Sequence, residues 1–174
     1  MQTPNHQSNR ILRPVRPWFI VLSILIALLL NMLPPRQWLF MPDWVLLTLC
    51  FWSIREGQKI GMGVAFCLGL FMDVADSAAL GQHALAYVIA SYTASAFSKR
   101  ILWFSLPLQA LHVFPIFLAT SALQIFIQLV AGKDFPGFAQ FLPSFVAAAL
   151  WPLLSFFLLL PQYQPEFRDE TRPI

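Results

Sequence analysis

Charged residues are scarce in this chain. Asp, Glu, Lys and Arg make up 11% of its 174 residues, whereas 58% of the residues are hydrophobic. The mean hydropathy is +0.66. A water-soluble domain of this length has too little polar surface for such a composition, so the scarcity of charge argues against a soluble globular fold. The composition instead predicts an all-α integral membrane protein with a single domain.

Cysteines and catalytic signatures are also scarce. The only two cysteines, Cys50 and Cys67, lie within apolar runs, which is typical of small core residues rather than of a disulfide or a metal site. The sequence contains no Gly-x-Ser-x-Gly elbow, no His-Glu-x-x-His, no phosphate-binding glycine loop and no Gly-x-Gly-Asp pair. Asp73 and Asp76 are a weak acid/base pair at best, because the loops are too short to hold a catalytic module outside the membrane. We therefore expect no enzymatic activity, no metal and no cofactor.

The apolar runs predict six transmembrane helices in one bundle. These helices are expected at about 18–33, 38–54, 60–76, 82–98, 109–131 and 138–160. Pro115 predicts a kink in the fifth helix, and Pro143 and Pro152 predict interruptions of the sixth. Residues 101–106 are expected in the membrane interface, because Trp103 favours the headgroup level. Residues 1–17 form a basic tail, and residues 161–174 form a polar tail.

Basic residues are concentrated at one end of this predicted bundle. Six spans place both termini on the same side, together with nine of the eleven Lys and Arg residues. Only Arg36 and Lys133 fall on the other side. Since cytoplasmic segments carry the excess of Lys and Arg, both termini are predicted to lie in the cytoplasm.

Small residues recur at every fourth position in the middle of the chain. The first series is Gly57, Gly61, Ala65 and Gly69, ending at Asp73, and the second is Ala86, Ala90 and Ala94. Such ridges allow helices in lipid to approach closely, so the third and fourth helices are expected to form a tight antiparallel hairpin or to receive a partner helix. The alternative is that small residues are simply tolerated in lipid.

Acidic and imidazole side chains gather at the predicted outer end of the bundle. Asp73 lies about one turn inside the third helix, where a carboxylate is costly unless it has a partner. Asp73 therefore either belongs to a site for a ligand, a proton or a partner helix, or caps the next turn through backbone amides. For Asp76 and His83 we favour a solvated or local role, and Asp43 fits a helix N-cap. His112 is expected to be a packing residue rather than a metal ligand.

Several segments, in this order, resemble a known bacterial family. They are Pro42-Asp43-Trp44-Val45-Leu46-Leu47, Gly61-x-Gly63, Gly69-Leu70-Phe71-Met72-Asp73, Leu80-Gly81-Gln82, Leu85-Ala86-Tyr87 and Leu150-Trp151-Pro152. Together with the short basic N-terminal tail, their order and spacing resemble the MreD family of rod-shape-determining proteins. The family's recurrent positions fall on Asp43, Gly69, Asp73, Gly81 and Tyr87.

The resemblance implies a non-enzymatic scaffold of the cell-elongation machinery, which makes peptidoglycan at the bacterial inner membrane. The implied partners are the bitopic periplasmic protein MreC, the cytoplasmic MreB filament, and RodA with its penicillin-binding transpeptidase partner. The family also looks like the six-helix substrate-binding subunits of energy-coupling-factor transporters, so a vitamin-binding subunit is the alternative. Against it, the first predicted span contains only Ala27 as a small aliphatic residue for a coupling surface. An intramembrane enzyme using Asp43, Asp73 and His83 is a third possibility.

Overall fold

Helices account for all the regular secondary structure in the part of the chain that the structure, a computed structural model, describes: residues 15–33, 40–57 and 59–162. The α-helices are α1 (Pro17–Met32), α2 (Trp44–Arg55), α3 (Met62–Ala75), α4 (Gln82–Ala96), α5 (Ser98–Leu102), α6 (Leu106–Val130) and α7 (Leu142–Leu159). Short 3-10 helices precede and follow α7, at Phe138–Phe141 and Leu160–Gln162. Residues 1–14 and 163–174 of the predicted tails lie outside the described residues.

The second helix begins later than its apolar run predicts. Residues 41–43 are not helical, and α2 starts at Trp44 with Asp43 as its N-cap. The predicted start at residue 38 is therefore wrong. Pro42 explains the difference, because proline disfavours the helical conformation of the residue before it, and a carboxylate at the next position satisfies the first free amides.

Residues 98–102 form a short helix of their own rather than an extension of the fourth. Ile101 in α5 is 2% exposed and belongs to the core, whereas Trp103 just after it is 92% exposed. Ile101 is therefore a core residue, and the location of residues 101–106 in the membrane interface stays a prediction. α6 also begins earlier than predicted, at Leu106, because Pro107 is tolerated in a first turn, where its missing N–H has no intrahelical partner.

The sixth predicted helix is less broken than its prolines indicate. Pro143 falls in the first turn of α7, and Pro152 lies inside a helix that continues to Leu159. The predicted interruption at Pro152 is wrong. Pro115 likewise lies inside an α6 that remains one helix over 25 residues. Neighbouring helices can compensate for a lost backbone hydrogen bond in this way in membrane proteins.

α2 occupies the centre of the molecule. Every residue of Val45–Ile54 is buried, and α2 packs against α1, α4 and α7. A helix that is apolar on all sides is suited to such a position. The Trp52 indole donates a 2.8 Å hydrogen bond to the Ser23 hydroxyl, which fastens α1 to α2. α3 packs on the far side of α4, while α6 contacts α4 and α7.

The two cysteines occupy different environments. Cys50 is buried in the middle of α2, but Cys67 is exposed on α3. The prediction of a core role therefore fails for Cys67, which lies on the face of α3 turned away from α4. Apolar periodicity could not separate the two positions, because both lie in runs that are hydrophobic throughout.

The outer surface of the helices is apolar, as in a protein surrounded by lipid. Val21, Leu25 and Leu29 on α1 are 57%, 51% and 61% exposed. Two segments, Leu106–Val130 and Phe138–Gln162, are long and apolar enough to cross a membrane, and α1, α2 and α3 are apolar but shorter. The fold is therefore that of a helical membrane protein, while six spans and cytoplasmic termini remain predictions.

Candidate functional site

A polar cleft of about 390 Å³ opens at one end of the helices. It lies where the ends of α1 and α3 and the beginnings of α2 and α4 meet α6 and the start of α7. Its polar lining residues are Asn31, Asp43, Asp76, His83, Ser121, Gln124, Gln140 and Ser144. The basic residues Arg16 and Arg55 stand at the other ends of α1 and α2, and Arg100 lies in α5, just beyond the other end of α4. The polar cleft and this basic end therefore face opposite ways.

Asp43 joins three helices at the floor of the polar cleft. Its carboxylate caps α2 by accepting from the Leu46 amide at 3.0 Å, and it also accepts from the Asn31 amide of α1 at 2.9 Å. The Tyr87 hydroxyl of α4 donates to its second oxygen at 2.5 Å. Asn31 in turn accepts from the Trp44 amide at 2.9 Å. A residue that the sequence indicated as a local N-cap is thus also a contact between α1, α2 and α4.

Asp73 is the N-terminal cap of α4, supplied by α3. It is 1% exposed and accepts from the backbone amides of Gly81 at 2.8 Å, His83 at 2.7 Å and Ala84 at 3.4 Å. Gly81 has no side chain for capping, and its φ of 96° turns the chain so that these amides converge. Of the two roles left open by the sequence, the structure shows the backbone cap, in which the first free amides of α4 are satisfied.

His83 lies between two carboxylates at the edge of the polar cleft. Its Nδ1 is 2.9 Å from Asp73 Oδ1, and its Nε2 is 3.6 Å from Asp76 Oδ2. Asp76 therefore is paired rather than simply solvated, and His83 takes part in the cap of its own helix. Within the described ranges, no three His, Cys, Asp or Glu side chains are grouped to hold a metal ion. The arrangement orients hydrogen-bonding groups toward the polar cleft.

The α3/α4 hairpin brings Gly69 against the backbone of α4. A β-carbon added to Gly69 would lie 2.5 Å from the Ala84 nitrogen and 2.7 Å from the His83 carbonyl carbon, closer than real Cβ contacts. Ala65 on α3 and Ala86 on α4 are both fully buried. Close approach at Gly69 places the first turn of α4 within reach of Asp73, so the packing contact and the cap are geometrically connected.

The remaining small residues of the predicted ridges do not all share this role. Ala90 on α4 is 1% exposed, whereas Gly61 and Gly81 have open space where a β-carbon would stand. Gly57 lies in the turn before α3, and α3 begins only at Met62. The prediction of a single helical ridge from Gly57 to Asp73 is therefore wrong for Gly57 and Gly61, which precede α3, and holds only from Ala65 onward.

The opposite wall of the polar cleft comes from α6 and α7. The Ser121 and Ser144 hydroxyls are 2.8 Å apart, and Ser144 also donates to the Phe117 carbonyl at 3.2 Å. Gln124 lines the polar cleft one turn further along α6. Sequence reasoning singled out neither Asn31 nor Ser144. A polar residue near the end of an apolar run was the available signal for Asn31, and Ser144 had no comparable signal.

The fold and the polar cleft together define a helical membrane protein whose helix ends are joined by the carboxylates of Asp43 and Asp73 around an open polar site. A family model described as rod shape-determining protein MreD matches residues 12–160. The Haemophilus influenzae rod shape-determining protein MreD is 30% identical over 155 residues, which cover 85% of this chain and 92% of that protein. No solved structure matches the chain. The chain belongs to the MreD family.

Proposed function

We propose that this protein is a non-catalytic scaffold of the cell-elongation machinery in the bacterial inner membrane, with both termini in the cytoplasm. Membership of the MreD family implies a role in rod-shape determination. In the proposed role the protein links MreC and the peptidoglycan synthases, RodA and its transpeptidase partner, to the MreB filament. The described connections between helices are short, so partners would bind through helix surfaces and helix ends.

The observation that carries this proposal is the polar cleft at the end opposite the basic residues. With the basic end in the cytoplasm, the polar cleft opens on the periplasmic side. A bitopic periplasmic partner such as MreC leaves the membrane on that side. Its membrane-proximal segment therefore has a polar, concave surface to contact, in which Gln124 and Gln140 carry hydrogen-bonding groups.

The α3/α4 ridge is a less suitable docking surface for the partner's membrane span than the sequence indicated. Ala65, Gly69, Ala86 and Ala90 are buried against other parts of this chain. A partner helix could reach them only by separating α3 from α4. We therefore place the proposed MreC contact in the polar cleft and assign the ridge to holding the hairpin together.

The lining of the polar cleft favours a peptide segment over a vitamin. Its volume of about 390 Å³ falls within the range of small-molecule sites, about 300–1,000 Å³. Phe117 is, however, the only Phe, Tyr or Trp among the described residues that line it, and the His83 imidazole is the one further aromatic ring. Vitamin sites of the kind considered above would bring several aromatic rings together, whereas amide and hydroxyl groups suit the backbone of a bound peptide.

The proposal is tested by filling the polar cleft. In Gln124→Trp the indole would occupy the space of the bound segment, so we expect co-purified MreC to fall at least about tenfold, the consequence of losing one good contact. Depletion of the native protein should then leave cells round when only this variant is supplied. Gln128→Trp, one turn further along α6 and outside the polar cleft, is the matched control and should retain MreC and rod shape.

Undiminished MreC binding by a folded Gln124→Trp protein would refute docking in the polar cleft. A vitamin that co-purifies with the unmodified protein and is lost in Gln124→Trp would support the transporter subunit instead. Normal rod shape after depletion without any complementation would exclude the scaffold function itself. These outcomes separate failure of the site from failure of the function.

A further inference from the structure

A second concavity, the apolar groove, lies between α4 and α6 on the side of the molecule away from the polar cleft. It has a volume of about 320 Å³. Its walls are formed by Ile89 and Thr93 of α4, by Phe97 just after α4, and by Pro115, Ala119 and Thr120 of α6. Arg100 and His112 stand at its mouth. This surface is not used by the scaffold function proposed above.

The walls of the apolar groove offer no free hydroxyl donor to a polar ligand. Thr93 donates to the Ile89 carbonyl at 2.7 Å, and Thr120 donates to the Ile116 carbonyl at 2.7 Å. At the mouth, His112 is stacked on Phe104 and its Nδ1 is 2.9 Å from the Leu108 carbonyl. Because the wall hydroxyls are bonded within their own helices, the interior suits a hydrocarbon occupant.

The depth of the apolar groove corresponds to one leaflet. His112 and Thr120 are eight residues apart on α6, which is about 12 Å along the helix at about 1.5 Å per residue. The hydrocarbon core of a bilayer is about 30 Å thick, so the apolar groove ends near its middle. A helix about 10–12 Å in diameter would need roughly 1,000 Å³ over that length, well above the 320 Å³ present. An acyl chain is narrow enough to fit.

The positive charge at the mouth of the apolar groove indicates that the lipid headgroup is anionic. Arg100 and the neighbouring Lys99 are both exposed, and Arg100 has no ion pair within the part of the chain that the structure describes. Both belong to the basic end of the molecule. Basic pockets between transmembrane helices are suited to anionic lipid headgroups.

We propose that the apolar groove binds one acyl chain of an anionic phospholipid, with the Arg100 guanidinium on the lipid phosphate. Anionic lipid of the leaflet at the basic end would then fill the space between α4 and α6. The interaction stabilises this pair of helices without using the polar cleft, so its failure would leave the scaffold proposal unaffected.

The proposal is tested on the purified full-length chain in nanodiscs with equal amounts of phosphatidylglycerol and phosphatidylcholine, by native mass spectrometry of the retained lipid. The unmodified protein should retain phosphatidylglycerol preferentially. Arg100→Gln should reduce that preference roughly fivefold, the effect of one basic residue near a lipid surface. Ala119→Phe fills the apolar groove and should reduce retention of both lipids.

Two matched variants control for general effects. Lys133→Gln removes a charge from the opposite end, and Ala122→Phe adds the same ring to an exposed α6 position outside the apolar groove; both should behave like the unmodified protein. Equal retention of the two lipids, or an unchanged preference in Arg100→Gln, would overturn the proposal. If Ala119→Phe does not fold, the Arg100→Gln comparison decides alone. A photo-crosslinker at position 119 that captures protein rather than lipid in native membranes would also overturn it.

Discussion

At the scale of single residues, two carboxylates organise the end of the molecule that contains the polar cleft. Asp43 joins α1, α2 and α4, and Asp73 joins α3 to α4. Carboxylates are costly at membrane depth, and each of these two is satisfied by several donors. Their hydrogen bonds fix the helix ends relative to one another, so they determine the shape of the polar cleft even where they do not contact a partner.

Replacing Asp73 with Ala should destabilise the protein strongly. The change leaves the amides of Gly81, His83 and Ala84 without their acceptor, and the last two are buried. Unsatisfied buried groups cost about 1–3 kcal/mol each, so we expect a loss of at least about 2 kcal/mol. Thermal unfolding in detergent measures this loss of stability. Asp73→Asn keeps an acceptor oxygen, so its stability should lie between that of Asp73→Ala and that of the unmodified protein.

The control for Asp73 is Asp134→Ala, which removes a carboxylate from the exposed α6–α7 loop and should shift stability by no more than about 0.5 kcal/mol. If Asp73→Ala unfolds at the same temperature as the unmodified protein, the carboxylate does not hold the start of α4.

Tyr87→Phe tests the contact between α4 and the Asp43 carboxylate. The variant keeps the ring but removes the hydroxyl that donates to Asp43, and hydrogen bonds to charged groups contribute about 1.5–3 kcal/mol. We expect a loss of that size in thermal unfolding. Tyr92→Phe makes the same chemical change at a position that is 61% exposed and should have little effect. Equal losses in both variants would contradict a specific role for the Tyr87 hydroxyl.

At the scale of elements, the α3/α4 hairpin is a unit built around one point of close approach. α3 makes its main contact with α4, and Gly69 is where the backbones come nearest. The turn between them returns the chain through Gly81 so that α4 starts beside Asp73. The hairpin therefore depends on a small residue and a carboxylate one turn apart on the same helix.

Two glycines of α3 should respond to alanine in opposite directions. Gly69→Ala puts a methyl group against the Ala84 backbone and should cost about 1–3 kcal/mol, as overpacking does. Gly63→Ala meets nothing within 4 Å and should instead stabilise α3 by up to about 1 kcal/mol, because alanine has the higher helix propensity. Thermal unfolding of the two variants in one detergent provides the comparison. Two changes of the same sign would show that the hairpin is not packed as described.

At the scale of the whole molecule, the two concavities open toward opposite ends of the bundle. The polar cleft lies among Asp43, Asp76 and His83, and the apolar groove opens beside Arg100. If the basic end is cytoplasmic, the polar cleft faces the periplasm, where its proposed partner lies, and the apolar groove faces the inner leaflet, which holds its proposed lipid. The orientation therefore decides the role of both sites.

Reporter fusions test the orientation directly. Alkaline phosphatase, which is active only in the periplasm, should be active when fused after Lys133 and inactive when fused after Arg100, because the excess of basic residues stays in the cytoplasm. A fluorescent protein that folds only in the cytoplasm should give the reverse pattern. Phosphatase activity at Arg100 with none at Lys133 would invert the topology and exchange the sides proposed for the two sites.

Much of the architecture follows from patterns that act locally. Long apolar runs separated by proline, glycine and charged residues determine where the chain is helical. Within the described ranges, six of the seven α-helices fall on runs that the sequence predicts. The errors arise where neighbours override a local rule. Pro152 does not end α7, and α2 begins only at Trp44, after Pro42.

Composition and the order of motifs depend only on the chain, so they were enough to establish the class of protein, the family and the scarcity of groups able to do chemistry. The contacts of the carboxylates, in contrast, became known only from the packing of the helices. Asn31, Asp43 and Tyr87 are separated by up to 56 residues and meet through helix packing. Side-chain contacts of this kind depend on distances between helices, which periodicity along one helix does not specify. For the same reason, the shapes of the two concavities could not be predicted from the sequence.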